Sequence, residues 1–137
     1  MRLLGVDLGR VRIGVALADE LLRTARPLTT LQRRSDRADA EALRDLAQEW
    51  EVSQIVVGLP LNMDDSEGPS ARLARTFAGH VERTTGLPVA LFDERLSTFE
   101  AEDRLRSQGF SGKDRRARVD AEAAAVILQG WLDGRDA

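Results

Sequence analysis

Asp7 is a carboxylate set inside an apolar strand. In the segment LLGVDLGRVRIGVALAD, from Leu3 to Asp19, Leu4, Val6 and Leu8 share one face of an extended stretch, while Leu3, Gly5 and Asp7 share the other. An unpaired ionised Asp is costly in such surroundings, so Asp7 must meet a cation, accept hydrogen bonds or lie at an open edge of the sheet. A bound metal ion is the sharpest of these options. Two further acids stand where ligands gather: Glu94, beside Asp93, follows the short apolar run PVALF, and Asp120 shares a helical face with Ala124, Ile127 and Trp131. The chain has no Cys and one His, His80, so thiolate nucleophiles, Cys-based zinc sites and multi-histidine sites are excluded. Three carboxylates, if they converge, suit Mg²⁺ or Mn²⁺, which prefer oxygen ligands and keep waters. Two such ions about 4 Å apart activate a water and stabilise a leaving oxygen in phosphodiester cleavage.

These acids need a scaffold that brings distant segments together. Gly9 to Arg12 supply a turn after the first strand, and Ile13, Val15 and Leu17 alternate again in an antiparallel return strand, with Arg10 and Arg12 near the tip. Ala25 to Leu31 reads as a third strand, at an edge because of Pro27. Ala40, Leu43, Ala47 and Trp50 recur at helical spacing from about Asp36 to Trp50, with Ser35 or Asp36 as cap. Gln54 to Leu59 is a β-branched run, apolar on both faces, as expected of a buried parallel strand. PLNMDDSEGPS is a loop rich in turn formers that carries Asp64 and Asp65. A second helix follows Pro69 and ends before Gly86; Pro88 to Phe92 forms a fifth strand that delivers Asp93, Glu94 and Arg95. Ser97 and Glu100 fit a capping box opening a third helix, from about Thr98 to Gln108. GFSGKDRRARV, with Lys113, Arg115, Arg116 and Arg118, reads as a positively charged loop, and Asp120 then falls in the first turn of a last, alanine-rich helix. The order along the chain is βββαβαβαα.

At 137 residues this is expected to be a single domain, residues 1–137, built on a five-stranded mixed sheet flanked by helices. An aromatic fraction of 4% leaves little for base-stacking platforms, and a net charge of -3 confines any nucleic-acid surface to a local patch. The N-terminus lacks signal-peptide features and no apolar run reaches membrane-spanning length, so a cytoplasmic protein is expected.

GVDLGRVRIGVALAD, VVGLPLNMDDSEGPSA, DERLSTFEAE and VDAEAAAVILQGWLD resemble, in that order, the motifs of the bacterial YqgF family, and together they span nearly the whole chain. The resemblance implies an RNase H-like fold. It also implies a metal-dependent nuclease, active either at the 5′ end of pre-16S ribosomal RNA or as a Holliday junction resolvase on branched DNA. Carried over motif by motif, it makes Asp7, Glu94 and Asp120 the metal-binding catalytic acids. In the wider RNase H-like superfamily the second acid follows the fourth strand, a place taken here by the loop with Asp64 and Asp65, which makes those two rival ligands.

Plainer readings stand beside these. Asp7 could cap the hairpin turn or pair with Arg10, Asp93 and Glu94 could be solvated charges, and Asp120 could simply favour a helix N-terminus. Arg10, Arg12, Lys113, Arg115, Arg116 and Arg118 are candidates for neutralising substrate phosphate, against the alternative of solvated surface. His80 has no second His for a relay or metal site. DLG with an antiparallel return strand also resembles the phosphate-binding hairpin of actin-like ATPases and sugar kinases, but one chain of this length holds a single such unit. A non-catalytic RNA- or ribosome-binding module is disfavoured, since carboxylates facing phosphate repel it unless a metal intervenes. Either a monomer or a homodimer is compatible with the sequence; resolving a junction with two symmetric nicks would favour the dimer.

Overall fold

The computed structural model describes residues 1–94 and 112–135. Five strands form one sheet: β1 (Arg2–Leu8), β2 (Arg12–Asp19), β3 (Thr24–Gln32), β4 (Val52–Leu59) and β5 (Val89–Asp93). Their spatial order is β3-β2-β1-β4-β5. β1, β2 and β3 pair antiparallel, as short connections allow, whereas β1 with β4 and β4 with β5 pair parallel and need crossover helices. β1 therefore lies at the centre, and its carboxyl end opens at the same edge of the sheet as those of β4 and β5. β3 is the edge strand that Pro27 requires.

Helix α1 (Asp36–Glu49) starts where Ser35 accepts a hydrogen bond from the Ala38 backbone N–H at 3.1 Å, and α2 (Pro69–Thr85) stops at Gly86, whose φ of 72° is the left-handed conformation that glycine adopts most readily. These two helices cover one face of the sheet, where Leu4, Val6, Ile13, Val15, Leu17, Ile55 and Val57 meet Leu43, Phe77 and Val81. Arg33 clamps the start of α1 by pairing with both Asp36 and the buried Asp39. Helix α3 (Gly112–Arg135) covers the other face, packing Ala124, Ile127 and Leu128 on Leu3, Ala16 and Val56. The alternation along β1 divides these two cores, because Leu4 and Val6 point one way and Leu3 the other.

The close approach of α3 depends on missing side chains in the strands below it. A Cβ at Gly5 would lie 2.8 Å from the Ala124 carbonyl oxygen, and one at Gly14 only 1.8 Å from that of Asp120. Gly14 thus serves the helix as much as the hairpin. We expect Gly14→Ala to destabilise the protein by at least about 3 kcal/mol, the upper end of ordinary overpacking, because the obstacle is backbone that cannot rotate away. Urea titration of the two proteins measures it.

Two expectations change here. The expected basic loop before Asp120 is helical from Gly112 onward, so Lys113, Arg115, Arg116 and Arg118 belong to α3. The reason is propensity: from Lys113 to Gln129 there is no Gly or Pro, and Arg and Ala are among the best helix formers. Their side chains lie outside the described residues. Asp120 accordingly sits well inside α3 and not in its first turn, which removes the macrodipole as its reason for being there, since that effect fades beyond the first turn. The helix expected over about Thr98 to Gln108 lies outside the described residues. Among the described residues, no helix is long and apolar enough to cross a membrane.

Candidate active site

Asp7 stands one residue before the end of the central strand, opposite Gly14 of β2. It points to the α3 face, as the alternation with Leu3 and Gly5 requires. Glu94 comes immediately after β5, where its backbone N–H donates to the Leu59 carbonyl oxygen at 3.1 Å. β4 separates β5 from β1, so the Glu94 side chain must cross β4 to reach Asp7. Gly58 makes the crossing possible: a Cβ there would lie 2.2 Å from Glu94 Oε2 and 2.7 Å from Ile127 Cδ1. The glycine that interrupts the β-branched run QIVVGL is the visible signal for this role, and reading the run only as buried strand misses it.

The Asp7 and Glu94 carboxyl groups are hydrogen-bonded to each other. Burial raises the Asp7 pKa, the Glu94 hydrogen bond lowers it, and the nearby Asp120 charge raises it, with a net upward shift. Burial is also the largest cause at Glu94, followed by the Asp7 charge, and together they push its pKa to about 9. Without a cation, two half-buried carboxyl groups in contact retain a proton between them at neutral pH.

Asp120 arrives from α3. Its carbonyl is pressed against Gly14, and its Oδ2 accepts a 2.6 Å charge-assisted hydrogen bond from Arg12 Nε. The structure therefore joins Asp7 to Glu94 directly and brings Asp120 near enough for its charge to act on Asp7. Among the described residues no three His, Asp or Glu side chains are close enough to hold one metal ion together. The donor types nevertheless fit a hard divalent cation: all are carboxylate oxygens, and a cation would replace the proton that Asp7 and Glu94 share.

The remaining candidates separate into two groups. Arg12 is at the site, paired with Asp120. Arg10 is exposed at the hairpin tip, beside a cleft of about 300 Å³ lined by Leu8, Gly9, Arg33, Ser70 and Leu73. Asp64 serves its own loop: its Oδ1 accepts from the Ser66 backbone N–H at 3.0 Å and from the Ser66 hydroxyl at 2.5 Å, and these bonds lower its pKa. Asp65 adopts a φ of 70° in the same turn. His80 Nε2 lies 3.8 Å from Asp36 Oδ2, tying α2 to α1 away from the acids.

Comparison with known proteins agrees with this architecture. A protein of Anaeromyxobacter sp. (strain Fw109-5) named "Putative pre-16S rRNA nuclease" is 67% identical over 137 residues, covering 100% of both chains. A Myxococcus xanthus (strain DK1622) protein of the same name is 50% identical over 133 residues, covering 97% of this chain and 88% of its own. Among solved structures, T. thermophilus RuvC in complex with a Holliday junction substrate superposes with a TM-score of 0.61 at 16% identity, covering 99% of this chain and 96% of that one. That likeness shows the RNase H-like fold expected from the sequence. The RuvX family, described as Holliday junction resolvase, matches residues 1–134. With a match of that extent, and with a relative 67% identical over its whole length, the chain belongs to the RuvX family, the one its YqgF-like motifs point to.

Proposed function

We propose that this protein is a divalent-metal-dependent nuclease that cleaves phosphodiester bonds in structured nucleic acid, most readily in the 5′ region of pre-16S ribosomal RNA. The carrying observation is the Asp7–Glu94 carboxyl pair, half-buried at the carboxyl edge of the central strands with Asp120 beside it. Asp7, Glu94 and Asp120 would hold Mg²⁺ or Mn²⁺ through carboxylate oxygens, and bound as one or two ions the metal supplies an activated water and charge stabilisation for the leaving oxygen. Asp7 would hold the metal from the central strand, with Glu94 reaching it from the end of β5 and Asp120 from α3. Arg10 and Arg12 at the hairpin tip, with Lys113, Arg115, Arg116 and Arg118 along the first turns of α3, neutralise the substrate backbone.

The preference for RNA rests on the names of the relatives. Junction DNA is the second reading, favoured by the family description and by the RuvC complex, and it would require a homodimer to place two symmetric nicks. Labelled precursor ribosomal RNA and a four-way DNA junction, incubated side by side with Mg²⁺, Mn²⁺ or EDTA, distinguish them. Metal-dependent cutting of the RNA alone supports the first reading, and paired symmetric nicks in the junction support the second. A folded protein that cuts neither is a binding module.

The basic side chains of α3 carry a separate prediction. Replacing Lys113, Arg115, Arg116 and Arg118 together by Ala should weaken nucleic-acid binding without sequence preference. The slope of log K against log salt should shrink by up to about 3, at roughly 0.7 to 0.9 for each phosphate no longer neutralised. Fluorescence anisotropy across a salt series reads both effects.

A further inference from the structure

We infer that Arg12 guards Asp120: its guanidinium occupies the carboxylate until a substrate phosphate draws it away, so that metal binding and nucleic-acid binding strengthen each other through this one side chain. The inference rests on the nuclease reading above and adds to it a device for coupling the two ligands.

The geometry leaves the backbones fixed and only the side chains able to change. Arg12 is the first residue of β2, its carbonyl accepting from the Gly9 N–H at 2.9 Å and its Cα paired with Gln32 of β3. Asp120 is held by the contact of its carbonyl with Gly14. Between these two anchors lies the 2.6 Å Nε to Oδ2 bond, with the side chains of Arg12 and Asp120 45% and 23% exposed, so that a phosphate in solution can reach the guanidinium. Asp7 and Glu94 are hydrogen-bonded to each other. Asp120 Oδ2 is instead bonded to the guanidinium, whose positive charge opposes a cation at the same carboxylate.

A guanidinium and a divalent cation compete for the same carboxylate, and each repels the other. Phosphate offers the guanidinium an alternative partner whose oxygens match its fork of donors. Once Arg12 turns to the nucleic acid, its charge no longer competes with the metal at Asp120. Linkage then requires that the nucleic acid raise metal affinity by the same factor by which the metal raises nucleic-acid affinity. A nuclease built this way binds its metal more tightly with substrate in place.

The test measures Mn²⁺ binding by electron paramagnetic resonance, without reference to cleavage, on the wild type, Arg12→Gln, Arg12→Lys and Asp120→Asn. Circular dichroism melting establishes that each is folded. Arg12→Gln should bind Mn²⁺ about tenfold more tightly than the wild type, the worth of one charge-assisted hydrogen bond released, while Arg12→Lys should stay near the wild type because it keeps the charge. A short oligonucleotide with cleavage-resistant methylene phosphonate linkages, corrected for its own Mn²⁺ binding, should tighten Mn²⁺ binding by a larger factor in the wild type than in Arg12→Gln. Equal or weaker Mn²⁺ binding by folded Arg12→Gln overturns the guard, and would mean that Arg12 merely positions Asp120. Unchanged affinity in Asp120→Asn overturns instead the assignment of Asp120 as a ligand, and with it the reading on which the guard rests.

Discussion

Asp7→Asn is expected to lower the cleavage rate by about a thousandfold or more while leaving the protein folded. The expectation follows from position and charge. Asp7 is the acid of the central strand, hydrogen-bonded to Glu94 and within electrostatic reach of Asp120. An amide in its place keeps the shape but gives up the negative charge that would hold a divalent cation. A metal supplies several kcal/mol of transition-state stabilisation, and each 1.36 kcal/mol is tenfold in rate. Stability should move the other way. Asn ends the like-charge repulsion at the site and still offers a hydrogen-bonding partner to Glu94, so in EDTA at pH 8 the variant should unfold at an equal or higher urea concentration. Single-turnover cleavage and urea titration on one preparation measure both. An active, folded Asp7→Asn would exclude Asp7 from the chemistry.

The second large effect is a dependence of stability on pH that a divalent metal reverses. Glu94 binds its proton with a pKa of about 9 in the folded protein, against an ordinary value of 4.5, and Asp7 is shifted upward as well. Between those two values the folded state holds more protons than the unfolded state, so stability in EDTA falls as pH rises from about 4.5 and levels off above about 9. This is the opposite of a salt-bridged carboxylate, whose contribution is lost on acidification. Mg²⁺ or Mn²⁺ at a hundred times its Kd adds about 2.7 kcal/mol to a protein that binds it only when folded, a rise in Tm of about 8 °C for a chain of this size. Because the cation displaces the shared proton, the gain should be larger at pH 8 than at pH 6. Glu94→Gln should flatten the pH profile. Differential scanning calorimetry over pH, with and without metal, provides the comparison, and a stability that climbs from pH 5 to 8 in EDTA would contradict the shared-proton arrangement.

Much of this is legible along the chain because the signals are local. Alternation in LLGVDL places Asp7 opposite Leu4 and Val6, Pro27 marks an edge, and Ser35, Pro69 and Gly86 bound helices, each acting on its immediate neighbours. The acids stand out for the same reason: a carboxylate within an apolar strand, or just after one, is a local anomaly. The start of α3 is harder to read because a run of Lys and Arg has the composition of a solvated loop, yet it contains nothing that breaks a helix, and periodicity alone does not separate the two when the apolar stripe begins only at Asp120.

By itself, then, the sequence determined the kinds of groups available, all-oxygen donors with no Cys and one His, and the order of elements that would carry them. The tertiary structure alone decided how those groups meet. That Glu94 crosses β4 over Gly58 to share a proton with Asp7 depends on β4 lying between β1 and β5. That Asp120 pairs with Arg12, 108 residues away, depends on α3 lying tight against Gly14. Such contacts are set by packing between segments far apart in the chain, where a clash of one methyl group or the burial of one charge selects the arrangement, and no local pattern records which distant residue will be there.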